Sequence, residues 1–272
     1  MLAKRIATAV ILLVAFVAAL LLLPNGWWAA VLVPPVIVAS WEWCTLARFI
    51  GVARWMFVGS IVVSGAILWA VIHGAAPAPG DRAMLETLVY LVSGLFWLAF
   101  ALPRIVRRQE IRSPLALGVA GWLLLVPTWL ALARLQVDPE RLLALLGVVW
   151  LSDTAAFLTG RTWGRHRLAP QISPGKTWEG IAGAAAAVAV YYVGLSRATP
   201  DWAAWAGWGG ALLFALVAAM GVVGDLFESW VKRLAGVKDS GALLPGHGGI
   251  LDRIDSMTAA LPVAALLLPY AA

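Results

Sequence analysis

Charge is what this chain has least of. Asp, Glu, Lys and Arg make up 12% of its 272 residues, where a soluble domain carries about 25%. So little polar surface cannot cover a water-soluble core, which excludes an ordinary globular domain. Cysteine is nearly absent as well. Cys44 is the only one, so there is no intrachain disulfide and no cysteine-based metal site; inside an apolar run it reads as a packing residue. Apolar residues do not alternate with polar ones, which excludes the strands of a membrane β-barrel. A P-loop is missing too. Gly175-Lys176-Thr177 has the right ending, but Pro170 stands where the leading glycine is required and no strand precedes it.

What the chain does have is long hydrophobic runs. Hydrophobic residues reach 62% and the mean hydropathy is +0.88. A helix needs about 20 apolar residues to cross a bilayer. Runs of that kind lie at 6–24, 27–46, 55–74, 85–103, 114–135, 141–159, 178–196, 202–224 and 257–271. The expected fold is all-α, a polytopic integral membrane protein with about nine transmembrane helices and a cytoplasmic N-terminus. The first run follows Lys4 and Arg5 but is longer than a signal-peptide core, so it reads as an uncleaved helix. With nine alternating helices, sixteen of the twenty Lys and Arg fall on the cytoplasmic side; only Arg82, Arg134, Arg141 and Arg197 fall outside. That is the positive-inside bias. Together with attraction to anionic lipid headgroups, it accounts for the net charge of +6, for example in "PRIVRRQEIR" at 103–112, without a nucleic-acid partner. Trp27 and Trp28 fall near a predicted helix end, where an interfacial aromatic belt is expected.

Two regions differ in character. Residues 1–140 are transmembrane helices with bland loops. Residues 141–272 carry transmembrane helices whose polar residues gather at their cytoplasmic ends. Glu42, inside the second run, and His73, near an outer end, stand isolated, and no role is assigned to them.

In "GDLFESWVKR", Asp225, Glu228, Ser229 and Lys232 stand at i, i+3, i+4 and i+7 and so share one helix face. In "LDRIDS", Asp252, Asp255 and Ser256 repeat the i, i+3, i+4 spacing. Two carboxylate stripes at one membrane face repel each other unless something positive lies between them. Hard oxygen ligands in this pattern suit Mg²⁺; the competing reading is plain salt bridges from Lys232, Arg233 and Arg253. The connecting loop holds Gly246, Gly248 and Gly249, whose backbone amides could form an anion nest, with Lys238 and His247 as further donors. Upstream, "GRTWGRHRLAPQISPGKTWEG" at 160–180 reads as a basic loop leading into a helix. Ser173 or Thr177 would cap that helix, Glu179 would fall in its first turn, and Lys176 is a candidate phosphate ligand. Asp153 lies about 12 Å deep, counting 1.5 Å per residue from Arg161. It is either a functional acid or a partner for Ser152, Thr154 or a neighbouring helix.

These residues resemble the phosphatidate cytidylyltransferase (CDP-diacylglycerol synthase) family. The signature positions are filled by Ser229, Lys232, Arg233, Lys238, Asp239, Pro245 through Gly249, Leu251, Asp252, Arg253 and Asp255. "SDTAAFLTGRTWGRH", "ISPGKTWEG" and "GDLFES" are similar to the same family, with Phe157 where Tyr is expected. The first 140 residues resemble it only in being helical and apolar. The resemblance implies that CTP and phosphatidic acid react to give CDP-diacylglycerol and pyrophosphate. It also implies Mg²⁺, alone or with a second cation, a homodimer, and a site on the cytoplasmic side of the inner membrane. The attacking group is the lipid's own phosphate oxygen, so no serine nucleophile or general base is required. On this reading Asp225, Asp252 and Asp255 hold metal. Lys232, Arg233, Lys238 and Lys176 clamp phosphates, with His247 beside them, and Ser173, Thr177, Ser229, Gly248, Gly249 and Arg253 line the substrates. Two rivals are an ion-coupled transporter using Asp153 and Asp225, and another lipid-headgroup transferase. The CDP-alcohol phosphotransferase type would carry an Asp-Gly-x-x-Ala-Arg stretch, which this sequence lacks.

Overall fold

A computed structural model describes residues 2–74, 78–198, 207–243 and 248–270. In hydrocarbon a backbone must satisfy its own N–H and C=O groups, so apolar runs become helices. Over the described residues, each of the nine runs does so. The first is α1 (Leu2–Leu22). The second is divided into α2 (Asn25–Val31) and α3 (Val33–Leu46), with Pro34 and Pro35 in the first turn of α3, where a missing N–H costs little. Next come α4 (Gly51–His73) and a continuous helix built of α5 (Pro79–Leu95), a π turn (Phe96–Ala101) and α6 (Leu102–Arg107). Pro103 has no N–H for the carbonyl four residues back. Just before it, the Leu102 amide reaches Trp97 O, five residues back, which is the π spacing.

α7 (Pro114–Leu135), α8 (Pro139–Trp163), α9 (Trp178–Ala198), α10 (Trp208–Ala235) and α11 (Leu251–Leu267) complete the set. Seven of the described helices are long and apolar enough to cross a membrane. The two others are α1, whose shorter apolar stretch is Leu13–Leu22, and α11, which has 17 residues and carries Asp252 and Asp255.

One feature departs from the sequence expectation and another bears it out. The basic loop after α8 contains an antiparallel hairpin, β1 (Arg167–Ala169) and β2 (Ser173–Thr177), with Arg167 opposite Thr177. As the i, i+3, i+4 spacing implies, α10 continues past the apolar run that ends at 224. It runs to Ala235 and ends where Gly236 turns left-handed at φ +79°, so the whole Asp225-to-Lys232 face is helical.

α7 lies at the centre of the N-terminal helices. Three indoles fasten it: Trp28 donates to Leu132 O (3.0 Å), Trp43 to Leu117 O (2.9 Å), and Trp129 of α7 to Ala29 O (3.0 Å). Trp28 is therefore a core residue, 1% exposed, and not a member of an interfacial belt; its neighbour Trp27 is 68% exposed. On the C-terminal side, α10 and α11 meet backbone to backbone at Gly224. A side chain there would strike the carbonyl of Asp255 and the methyl of Ala259. The sequence thus places Asp225 beside the acids that open α11.

Candidate active site at one end of the helices

Four elements converge where α8 ends, β2 leads into α9, α10 ends and α11 begins. The i, i+4 spacing on α10 brings Ser229 Oγ to Asp225 Oδ1 at 3.2 Å. From β2, Lys176 Nζ reaches Asp225 Oδ2 at 2.7 Å. One turn further along α10, Lys232 Nζ lies 3.2 Å from Glu228 Oε1 and 2.6 Å from Asp252 Oδ1. The side chains of Lys232 and Asp252 are 10% and 6% exposed, so this pair is buried, whereas the Lys176–Asp225 pair is partly open.

Asp252 is crowded with donors. Beyond Lys232, its Oδ2 accepts from the Ser240 amide (2.9 Å), Ser240 Oγ (2.9 Å) and the Gly249 amide (2.8 Å). The Gly249 N–H, expected to face an anion, thus turns inward. Asp255 Oδ1 takes the amide of Ser256 (2.7 Å), and Ser256 Oγ donates to Asp153 Oδ2 (3.0 Å). Of the two readings of Asp153, the structure supplies the neighbouring-helix partner and also places the acid within electrostatic reach of Asp225, Asp255 and Lys176.

The other expected residues divide. Thr177 caps α9, its hydroxyl accepting the Gly180 amide at 3.0 Å. Glu179, in the first turn, accepts the amides of Arg165 and His166 and pairs with the His166 ring at 2.6 Å, so it holds the hairpin against the helix start. Ser173 begins β2 and is half-buried. Arg233 reaches backbone, Ile172 O at 3.2 Å and Val237 O at 3.3 Å, and no carboxylate. Lys238 and Arg253 are exposed, and Gly248 adopts φ +79° over Asp252. His247, with Pro245 and Gly246, lies outside the described residues. Of the expected salt bridges, the structure makes those of Lys232; Lys176 supplies the other cation.

Glu42 was left without a role, yet it is 5% exposed and bonded to this site through Ser240, Ile250 and Leu251. A lone carboxylate inside an apolar run was the signal for it.

Asp153, Asp225, Glu228, Asp252 and Asp255 thus share one neighbourhood, and the described cations pairing with them are Lys176 and Lys232. Acids outnumber cations by three. Glu228 Oε2 is buried without a hydrogen-bond partner, and Oε1 meets the Lys232 ammonium alone. Among the described residues no three His, Cys, Asp or Glu side chains converge as a ready metal cage. The donor set itself is all-oxygen, anionic and incompletely neutralised, which fits a hard divalent cation held by one or two carboxylates together with substrate phosphates.

The chain matches the cytidylyltransferase family over residues 3–271. It is 36% identical to a phosphatidate cytidylyltransferase of Pseudomonas aeruginosa, over 78% of this chain and 86% of that protein. With the one from Haemophilus influenzae it shares 32% identity over 96% of each chain, and with the one from Brucella suis 42% over 71% of this chain and 67% of the other.

Proposed function

This chain belongs to the cytidylyltransferase family, and on that premise we propose that it joins CTP to phosphatidic acid, giving CDP-diacylglycerol and pyrophosphate. One observation carries the reading. Two lysine–aspartate pairs, Lys176–Asp225 and Lys232–Asp252, stand at one end of the helices, where an aqueous nucleotide and an embedded lipid can meet.

In this reaction a phosphate oxygen of the lipid attacks the α-phosphorus of CTP. The new oxygen–phosphorus bond forms as the bond to the β-phosphate oxygen breaks, and pyrophosphate leaves with that electron pair. Both reactants are anions, so the task is to bring them together and to neutralise the charge that develops. Lys176 and Lys232 are positioned for this. Each ammonium now rests on an aspartate and can turn its remaining donors to a phosphate without leaving the site. Asp225 and Asp255 would hold a divalent cation such as Mg²⁺, Asp225 by sharing its charge between the cation and Lys176; Asp252 would join them by giving up Lys232. When bound, that cation supplies charge neutralisation at the phosphates and at the departing pyrophosphate. Asp225 also orients Lys176, and Asp252 orients Lys232 together with Ser240 and Gly249.

The positive-inside bias supports placing this end at the cytoplasmic face of the inner membrane, open to an aqueous nucleotide. A pair of chains, as the resemblance implies, is part of the same proposal and is read by cross-linking in native membranes. The function is tested with purified protein, CTP, Mg²⁺ and phosphatidic acid in mixed micelles. Pyrophosphate and a lipid-linked CMP should appear in equal amounts and only with both substrates. Pyrophosphate formed without phosphatidic acid, or none at all, would refute the assignment.

A further inference from the structure

We infer that Glu42 is a positioning residue for the nucleotide-phosphate end of the site, acting from α3 through Ser240 on Asp252 and Lys232. The inference rests on the cytidylyltransferase reading above.

α11 has no cap of its own. Its N-cap position is Ile250, which has no side chain able to accept, and no side-chain cap bond forms there. A helix start leaves backbone amides without intrahelical partners. Glu42, 208 and 209 residues away in sequence, takes two of them: Ile250 N at 3.1 Å on Oε1 and Leu251 N at 2.8 Å on Oε2. A carboxylate suits this place because the helix dipole is positive at its start.

The same carboxylate reaches the reacting end of the site. Ser240 Oγ lies 3.2 Å from Glu42 Oε2 and 2.9 Å from Asp252 Oδ2. It has one proton and serves one carboxylate at a time, while its amide is committed to Asp252. Asp252 in turn holds Lys232 at 2.6 Å. Glu42, Ser240, Asp252 and Lys232 therefore form one line from the buried flank of α3 to a proposed phosphate clamp. The fit is close on both sides of the loop. A methyl group added at Gly241 or Gly249 would collide with the Glu42 carboxylate, so these two glycines leave the space that Glu42 fills. Ser240 and Glu42 are both buried, which keeps water from substituting for either.

The decisive substitution is Glu42→Gln. Gln matches Glu in size, so a packing role tolerates it. Its amide NH₂, however, must face a second set of donors, Ile250 N or Leu251 N with Ser240. Hydrogen bonds to a charged group are each worth about ten- to a hundredfold in an equilibrium. We expect kcat/KM for CTP, per mole of folded enzyme, to fall at least about tenfold. KM for phosphatidic acid should move much less. Unchanged kinetics in Glu42→Gln, whatever its melting temperature, would reduce Glu42 to a fold anchor and overturn the inference. Should Glu42→Gln fail to fold, Ser240→Ala decides. It cuts the line to Asp252 and leaves the helix cap in place. A lowered kcat/KM for CTP in that variant supports the inference, and a wild-type value overturns it. Wild-type protein in the same assay separates the two levels: silence there strikes the cytidylyl-transfer reading itself, whereas an active wild type beside an equally active variant strikes only Glu42.

Discussion

The two lysine–aspartate pairs look alike on paper but differ in environment, and so should their mutants. Asp252 accepts four hydrogen bonds and its partner Lys232 is buried. Removing one member of such a pair leaves the other uncompensated, at a cost of about 3–5 kcal/mol. Asp225 and Lys176 are 26% and 20% exposed, so water partly screens this pair and losing it should cost less than that. Asp252→Asn is therefore predicted to lower the melting temperature in detergent by much more than Asp225→Asn. Asp225→Asn should instead keep a near-normal melt and lose activity, with a higher Mg²⁺ requirement. Equal melts for the two, or a wild-type Mg²⁺ dependence in Asp225→Asn, would contradict this division of roles. At this scale the sequence was informative about local neighbours. The Asp225–Ser229 and Glu228–Lys232 contacts are the i, i+4 pairs that helical spacing dictates. It marked Glu42 as a lone carboxylate in an apolar run but could not show its role, because the donors that give it one lie about two hundred positions further along the chain.

Among the elements, the membrane-crossing runs were legible because hydrocarbon permits one backbone solution for each. What escaped were features set by geometry at the ends of runs. The extension of α10 from 224 to Ala235 passes through residues too polar for a hydropathy reading, yet their spacing already implied a helix face. The hairpin at 167–177 is too short, and too rich in proline and glycine, to show an alternating pattern. It exists because its ends are fixed: by Glu179, which gathers the amides of Arg165 and His166, and by Thr177, which caps α9. The hairpin carries Lys176 to Asp225. A basic loop of arbitrary conformation could not hold that ammonium within 2.7 Å of an acid on another helix. Arg233 shows the limit of reading charge from sequence. Its position beside Lys232 suggested a second phosphate clamp; the structure adds that its Nε and one terminal nitrogen reach the carbonyls of Ile172 and Val237, where it braces the hairpin turn.

For the molecule as a whole, the sixteen-to-four distribution of Lys and Arg predicts opposite sides for the site loop and the C-terminus. A reporter joined after Lys238 should be active on the cytoplasmic side and one joined after Ala272 on the outer side; agreement between the two would break the nine-helix topology. The bond from Glu42 to the start of α11 adds a constraint in time. The acid enters the membrane early, while its acceptor lone pairs wait for Ile250, 208 residues later. At about 5–20 residues per second that is on the order of 10–40 s of synthesis. During that interval the nascent chain holds a carboxylate in a greasy setting with none of its final partners. Chains cut short before Ser240 would keep it in that state permanently. Quality-control proteases should therefore clear a truncation at residue 239 faster than the same truncation carrying Glu42→Leu, as measured by pulse-chase half-life in the producing cell; equal half-lives would mean that the waiting carboxylate is sheltered by other means. α11 thus closes a contact opened from α3 about two hundred residues earlier, and the site is complete only once that helix has arrived.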